Sequence, residues 1–599
     1  MMKEQAKLTG KPSIDRPWLK YYPEQLLQMI HRPLCTVTEY LKNLCPGMDV
    51  AAVEYYGEQI SWGTIFDEVD KAARGLRALG FGEGDQIPIF LKLVPEFLTL
   101  LLAAEKIGAS LLCRDNTLEE NVEAVVKSGA SAIIAHDYMP QEELDAFQKA
   151  GVKHFVLVNP LQRGSRDGMP DYIQSCLDAL YTQDPVVSPT VLCWDDFLKS
   201  GESFTGTLEA PVDIDRPLFR AYTSGSTGPS KQVIHSANTM LSTVCQMNFY
   251  SENTEGRSTW LVTCLPPALV AVVVSMVLLP LSSNRLLIMD PFVSDKDVDL
   301  ELMRYKANNW PTIPMFIEIV MRNGRMGAGY DLSHLLAMGP GCEAFNNIQI
   351  QRAQNFLHQH NCNIRLTTGY GCSEAGSSIT LPMSPHPIAD GNVGVPMPLN
   401  TVSIFKPGTQ EELTYGEVGE ICIYGPGNML GYDDEESTSK TLQLHPDGKV
   451  WLHMGDLGCM NEDGVLYVMT RGASPRYGGG DLAVQPMENL VADARIDGID
   501  DEFFVVVPDH KHPGYFVPYL YVSLFDGYTV DDIQDQVTDC LEEYMYPVEI
   551  IPIPERPFFH FKTNRIGLSK RMQSVSRKGR FRGGISAGVQ PDSFQSKEH

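Results

Sequence analysis

An α/β fold in two unequal parts is predicted by three observations. Short apolar runs alternate with helical patterns through the first half, the pattern turns to short strands from Asn400, and a glycine-rich stretch follows Arg471. Strands alternating with helices imply mixed sheets covered by helices. The short strands between Gly, Asp and Asn turns imply a β-rich subdomain over about 400–471. The last part implies a small, mobile α+β domain. The expected order is an extension (1–34), a large domain (35–471), a hinge (472–475), a small domain (476–573) and a disordered tail (574–599).

Each element has its own signal. "WGTIFDEVDKAARGLRALGF" carries apolar residues at helical spacing and stops at Gly80. "DQIPIFL" reads as a strand, "EFLTLLLAAEKIGASLLC" as a helix running into a strand, and "NVEAVVKSGASAIIAHD" repeats that pattern. "KHFVLVN" is a further strand, and between about Asn159 and Asp213 the regularity weakens into an excursion. "TVSIFKP", "GEICIYG", "KVWLHMGDLG" and "GVLYVMTR" are the short strands. "GASPRYGGGD" reads as a floppy linker into strands "FFVVVP" and "PYLYVSLF".

The chain has 599 residues and a formal charge of −27, which argues against nucleic acid as a general partner. Its 13 cysteines lack ligand-like spacing and read as reduced thiols of a cytoplasmic protein. The N-terminus has no apolar core of the kind a secretory signal needs. "ALVAVVVSMVLL", Ala268 to Leu279, is roughly 12 residues, short of the ~20 that span a bilayer, and reads as a pocket wall, a core helix or both.

"AYTSGSTGPSKQVIHS", residues 221–236, suits phosphate binding. Its glycines let backbone approach an anion, its hydroxyls donate, and Lys231 supplies charge. It is not a Walker loop, because "PSK" follows Gly228. From Tyr222 to Val233 it resembles the signature (Y/F)TSGSTGxPKxV of the adenylate-forming superfamily, which holds acyl-CoA synthetases, adenylation domains and luciferases. That resemblance implies that Thr223, Ser224, Gly225, Ser226, Thr227, Gly228 and Lys231 grip the β- and γ-phosphates of ATP.

Other stretches resemble the family in the expected order. "GYGCSEAG", covering Gly369, Tyr370, Gly371, Ser373 and Glu374, resembles GYGxTE. By resemblance Tyr370 stacks on adenine, and Glu374 binds magnesium with Thr227 beside it. "GEICIYGPGNMLGYDDEESTSKTL" resembles GEIxxxGxxxxxGYxNxPEAT, and "WLHMGDLG" places Asp456 where the family aspartate accepts hydrogen bonds from ribose. Arg471 falls where an arginine contacts ribose or phosphate. "LLAMGPGCEAF" puts Gly341 and Cys342 near the base.

Two features depart from the family. Ser474 stands at the hinge position, where Asp or Lys is usual. Near the end, PxTxxGK carries a lysine that bridges carboxylate and α-phosphate; aligned on Gly567, that position holds Leu568. Lys562 and Lys570 are nearby replacements, and Lys570 is taken as the catalytic candidate with Lys231, Glu374 and Arg471. The resemblance implies ATP- and Mg-dependent activation of a carboxylic acid as acyl-AMP, then transfer to coenzyme A or a carrier protein's phosphopantetheine in trans. A degenerate member that binds nucleotide with little turnover is the alternative reading. No acid interrupts "LVTCLPPALVAVVVSMVLL", so an ammonium group would go unpaired there and a fatty or aryl acid is favoured over an amino acid. Monomer and homodimer both stay open.

Overall fold

The computed structural model describes residues 8–186, 188, 190–223, 230–249, 257–559 and 561–577. Residues 224–229, which carry the predicted ligands from Ser224 to Gly228, lie outside that set, as does the tail from 578.

Two large sheets share a helix-covered core. One has eight strands, in the order Gly431–Tyr432, Gln232–Ser236, Pro217–Tyr222, Ser110–Cys113, Gln86–Phe90, Ala132–His136, His154–Val158 and Val191–Cys193. Its pairings are parallel except where Gln232–Ser236 runs against Pro217–Tyr222 and Gly431–Tyr432. The other has six strands, with Thr259–Thr263, Leu286–Asp290, Asn309–Thr312 and Ala337–Pro340 parallel along one side. The helix Trp62–Ala78 begins where the Ser61 hydroxyl accepts from Thr64 N (3.2 Å), and it buries Ile65, Val69, Ala72 and Leu76 at helical spacing.

The stretch 159–213 is more regular than its sequence implies. It supplies the helix Asp171–Leu180 and the edge strand Val191–Cys193, which pairs with His154–Val158. A three-residue strand is too short to carry an alternation. The apolar run forms a π-helical stretch, Val272–Leu278, fully buried. Among the described residues no helix is long and apolar enough to cross a membrane.

An antiparallel five-stranded sheet follows, built on Thr401–Phe405, Gly419–Tyr424, Val450–Met460, Leu442–Leu444 and Leu466–Arg471. The N-terminal extension closes its core. Trp18 is fully buried there, Tyr22 donates its hydroxyl to Pro396 O (2.9 Å), and Arg16 donates to Pro398 O (2.6 Å).

The last unit holds a three-stranded sheet of Ile499–Pro508, Phe516–Leu524 and Ile550–Pro552. Both faces are covered, which is why "FFVVVP" is continuously apolar. Phe504, Leu520 and Val522 point into one cluster, Phe503, Val505, Val507 and Tyr521 into the other. Leu568, on the helix Arg565–Arg577, is buried in the second. The glycine-rich linker is not floppy. Arg476 donates to Tyr544 O (2.6 Å) and Tyr546 O (2.7 Å), and Arg476 N bonds Gly480 O (3.0 Å). A Cβ on Gly479 would lie 2.5 Å from Tyr544 Cβ, so this glycine permits close packing.

Trp18→Ala is expected to cost about 3–5 kcal/mol of stability, as for other large-to-small core changes. The exposed neighbour Ile14→Ala should stay within about 0.5 kcal/mol of wild type. Denaturant titration measures both.

Candidate active site

A cavity of about 1290 Å³ opens between the two large sheets, the five-stranded sheet and the small unit. At its phosphate end, Pro217–Tyr222 and Gln232–Ser236 hold the neck of the glycine–hydroxyl loop. Thr223 N donates to Lys231 O (2.9 Å), and Lys231 N to Thr223 Oγ1 (3.1 Å). Ser230, standing where the family has proline, donates its hydroxyl to Thr223 O (2.5 Å) and closes the neck by a bond proline cannot make. Thr223 and Lys231 both line the cavity.

Lys231 Nζ lies 4.8 Å from the centre of the Tyr432 ring. Tyr432 reaches this place because Gly431–Tyr432 pairs with Gln232–Ser236, and its hydroxyl donates to Glu374 Oε1 (2.9 Å). The Glu374 turn is pinned from two more sides. Met429 N donates to Glu374 O (2.7 Å), and His235 Nε2 sits 2.7 Å from Ser373 O. That contact makes Nε2 the protonated nitrogen and leaves Nδ1 to accept from the Thr239 hydroxyl at 3.0 Å. Glu374 is buried yet lines the cavity, a carboxylate oxygen donor that suits a hard cation retaining phosphate and water ligands. Thr227, its expected companion, lies outside the described residues.

Tyr370, Asp456 and Arg471, where the sequence predicts the nucleoside, come together on another side of the cavity. Tyr370 N donates to Thr380 Oγ1 (2.8 Å), and its hydroxyl to Asp456 Oδ2 (2.5 Å). Asp456 and Arg471 face each other in antiparallel register, with Arg471 Nε 3.5 Å from Asp456 Oδ1. Burial raises the Asp456 carboxyl, while Arg471, the Tyr370 hydroxyl and Lys562 pull it back. Gly341, Cys342, Gly369, Gly371 and Ser373 also line this cavity. Gly371 is required by backbone packing, since a Cβ there would meet Ser377 O at 1.9 Å.

The small unit contributes Lys562, which lines the same cavity. It leaves a hairpin in which Phe559 pairs with Lys562. Phe561, directly before the lysine, takes a left-handed φ of 63°, the conformation a glycine adopts most readily. The Phe561 ring packs edge-on against Phe316 of the large unit at 5.9 Å. Glu343, next to Cys342, accepts from Thr563 N (3.1 and 3.2 Å) and from Arg565 Nη1 (2.7 Å). Burial would raise the Glu343 carboxyl, but Arg565, Arg556 and Thr563 hold it below its ordinary value. Lys570 lies elsewhere, exposed on the helix Arg565–Arg577 and outside the cavity wall.

Sequence reasoning assigned no role to Tyr432, His235 or Glu343. Tyr432 and Glu343 stood inside quoted motifs; His235, at the end of the loop, carries no sequence signal of its contact with Ser373.

Burial pushes the His235 imidazole down to about 4, against its bond to Ser373, whereas the unfolded imidazole titrates near 6.5. As pH falls the unfolded chain takes up this proton first, so the stabilisation is complete above about 6.5 and is lost between there and about 4. At pH 5 the loss from this residue is expected to be about 2 kcal/mol relative to pH 7. His136, pushed by burial to about 3, acts in the same sense. Urea unfolding at pH 7 and 5 should therefore show a smaller drop for His235→Gln than for wild type.

The AMP-binding enzyme family profile matches residues 45–433. The 4-coumarate–CoA ligase 3 of Arabidopsis thaliana is 24% identical over 496 residues, 80% of this chain and 81% of that relative. The 4-coumarate–CoA ligase CCL1 of Humulus lupulus is 25% identical over 477 residues, 76% and 79% of the two chains. Among solved structures, ATP-bound MatB from Rhodopseudomonas palustris superposes with a TM-score of 0.73 at 18% identity, covering 90% of this chain and 99% of that one. The anthranilate CoA ligase AuaEII with anthranoyl-AMP gives 0.72 at 16%, covering 91% and 99%. These likenesses show a shared fold. With the ordered motifs meeting in one cavity and the family profile spanning most of them, this chain belongs to the AMP-binding enzymes of the adenylate-forming superfamily.

Proposed function

We propose that this chain is an AMP-forming acid–thiol ligase, and that Lys562 is its adenylation lysine. The carrying observation is that Lys562 enters the cavity holding Glu374, Asp456 and Arg471. A carboxylate oxygen of the acid attacks the α-phosphorus of ATP, the bond to pyrophosphate breaks, and acyl-AMP forms. Two anions meet in that step, so a positioned cation offsets the developing charge. A thiol then attacks the acyl carbon and AMP leaves. Asp456 accepts from the ribose hydroxyls, Tyr370 offers its ring to adenine, and Arg471 contacts ribose or phosphate. Glu374, oriented by Tyr432, is the residue that would hold Mg²⁺, which supplies charge neutralisation at the phosphates. The low-turnover reading rested on Leu568 at the lysine position and on the altered hinge; Lys562 lining the cavity supports turnover against the first of these.

The acid is aryl or fatty. Leu269, Val270, Ala271, Met276 and Leu279 line the cavity together with Trp260 and Trp310, and no carboxylate among the described residues of this segment is there to hold an ammonium. Arg285, stacked at 5.0 Å on Trp260, gives the pocket a cationic spot that favours an aryl acid bearing a hydrogen-bond acceptor. The relatives' names, 4-coumarate and anthranilate, are of that class. Coenzyme A is the favoured thiol. The 13 unpaired cysteines favour a reducing compartment such as the cytoplasm.

Acid-dependent ATP–pyrophosphate exchange across aryl, fatty and amino acids tests the reading, and exchange with none of them would overturn it. Lys562→Ala should slow exchange by roughly 10²–10³-fold while equilibrium ATP binding persists. Lys570→Ala should leave exchange unchanged.

A further inference from the structure

On the five-stranded sheet, next to the irregular stretch of strand that carries Asp456, three metal-ligating side chains converge, and one of them, His453, also lines the cavity. Cys422 and His453 are direct cross-strand partners, and Glu420 projects to the same face past a bulge between 420 and 422. His453 Nδ1 lies 3.1 Å from Glu420 Oε2 and 3.3 Å from Cys422 Sγ. One ligand atom from each of the three residues lies within 4.8 Å of the other two. In a tetrahedral sphere with bonds of 2.0–2.3 Å, ligand atoms stand about 3.3–3.7 Å apart, close to the spacing here.

The surroundings fit a built site. Cys422 is fully buried and His453 is 8% exposed. Phe405 and Trp451 pack around Cys422, and the Phe405 ring stands edge-on to His445 at 4.9 Å. The other nitrogen of His453, Nε2, is 2.8 Å from His445 Nε2. Without a metal, Nδ1–H donates to Glu420 Oε2 and Nε2 accepts from His445; with a metal bound, Nε2–H donated to His445 would leave the Nδ1 lone pair for the ion, the arrangement in which an outer partner sets a ligand's tautomer. The charges also balance: one carboxylate and one thiolate neutralise a divalent cation, so the loaded cluster carries no net charge into a buried place.

We propose that Glu420, Cys422 and His453 form a binding site for a thiophilic divalent metal of the zinc class, with His445 as the orienting partner. Binding forms one metal–sulfur bond and releases the Cys422 thiol proton to solvent. Glu420 Oε1 also accepts from Gly455 N at 3.1 Å, one residue before Asp456. The metal therefore stiffens the stretch of strand that presents Asp456 to the cavity. This consequence rests on the proposed nucleotide site; the metal site itself does not.

The test uses the full chain, stripped with a chelator and titrated with Co²⁺. One equivalent is expected to give a thiolate-to-cobalt charge-transfer band, bleached by added Zn²⁺. Cys422→Ser and Glu420→Gln should each abolish or strongly weaken it, with folding checked by circular dichroism. His445→Gln should weaken affinity roughly 10–100-fold, as outer partners do. Absence of the band in folded wild type, or its survival in folded Cys422→Ser, would overturn the proposal. Cobalt bound at Glu374 alone would lack the sulfur band, and failure of pyrophosphate exchange would leave this readout intact.

Discussion

The seating of the small unit over the cavity rests above all on the ion pair of Glu343 with Arg565, drawn largely out of water, beside a more exposed pair of Arg322 with Asp500 at 3.3 Å. The Glu343 side chain is 13% exposed, and the Arg565 guanidinium also binds Glu488 at 2.8 Å. A pair in such a place is weak ground for overall stability, but leaving either charge alone there is costly. Its value is geometric. Glu343 follows Cys342, a non-glycine residue with a φ of 71°, so the backbone turns the carboxylate out of the nucleoside wall toward the hairpin. The hairpin answers with Thr563 and Arg565, whose bonds to Glu343 hold the backbone beside Lys562 against the large unit. Asn346 to Glu502 (2.8 Å) and Gln485 to Phe345 O (2.7 Å) widen the same contact without adding charge to it.

With that contact made, the cavity is an ordered set of charges. Lys231 and Glu374 are joined through Tyr432 at one end, and Arg471 and Asp456 face each other across a ladder at the other, with Tyr370 bonded to the aspartate. The side chains are held by strands and by one another, so little reorganisation is left for the moment when charge develops on a bound nucleotide. The acyl end is different in kind. Its wall is the same buried segment that fills the core, largely apolar along 270–279 and with Arg285 as a charged group beside Trp260.

Much of this was legible because motifs report local backbone and side-chain type. Tyr370 and Glu374 share one short pattern and Asp456 and Arg471 sit in later ones, and all four line one cavity. Lys562, the proposed adenylation lysine, was legible only as one of two candidates, because the guide was a glycine. The left-handed position before it is filled by Phe561, whose ring is retained against Phe316, while Gly567 sits inside a helix. A sequence shows the residue that prefers a conformation, not the residue forced into it. The bond from His235 to Ser373 spans 138 positions and is created only by the sheet. Conversely the glycines of 478–480 read as slack because flexibility and close packing use the same residue.

The linker geometry shows where a rotation of the small unit would break no linker hydrogen bond. Gly472 N donates to Gly455 O (2.7 Å) on the large side, and Ser474 O accepts from Leu482 N (2.9 Å) on the small side. Ala473 is the residue between those two bonds. Any rearrangement that withdraws Lys562 from the cavity must turn the backbone near Ala473 and also separate Glu343 from Arg565. The first is a rotation about a few dihedrals and is inexpensive; the second strands a carboxylate and a guanidinium unless each finds a new partner or water. Arg565 keeps Glu488 within the small unit, and Glu343 is left beside the cavity, where solvent can reach it once the hairpin departs. The ion pair, together with the Arg322–Asp500 pair and the hydrogen bonds beside it, therefore opposes withdrawal of Lys562 from the cavity whatever the glycine content of the linker.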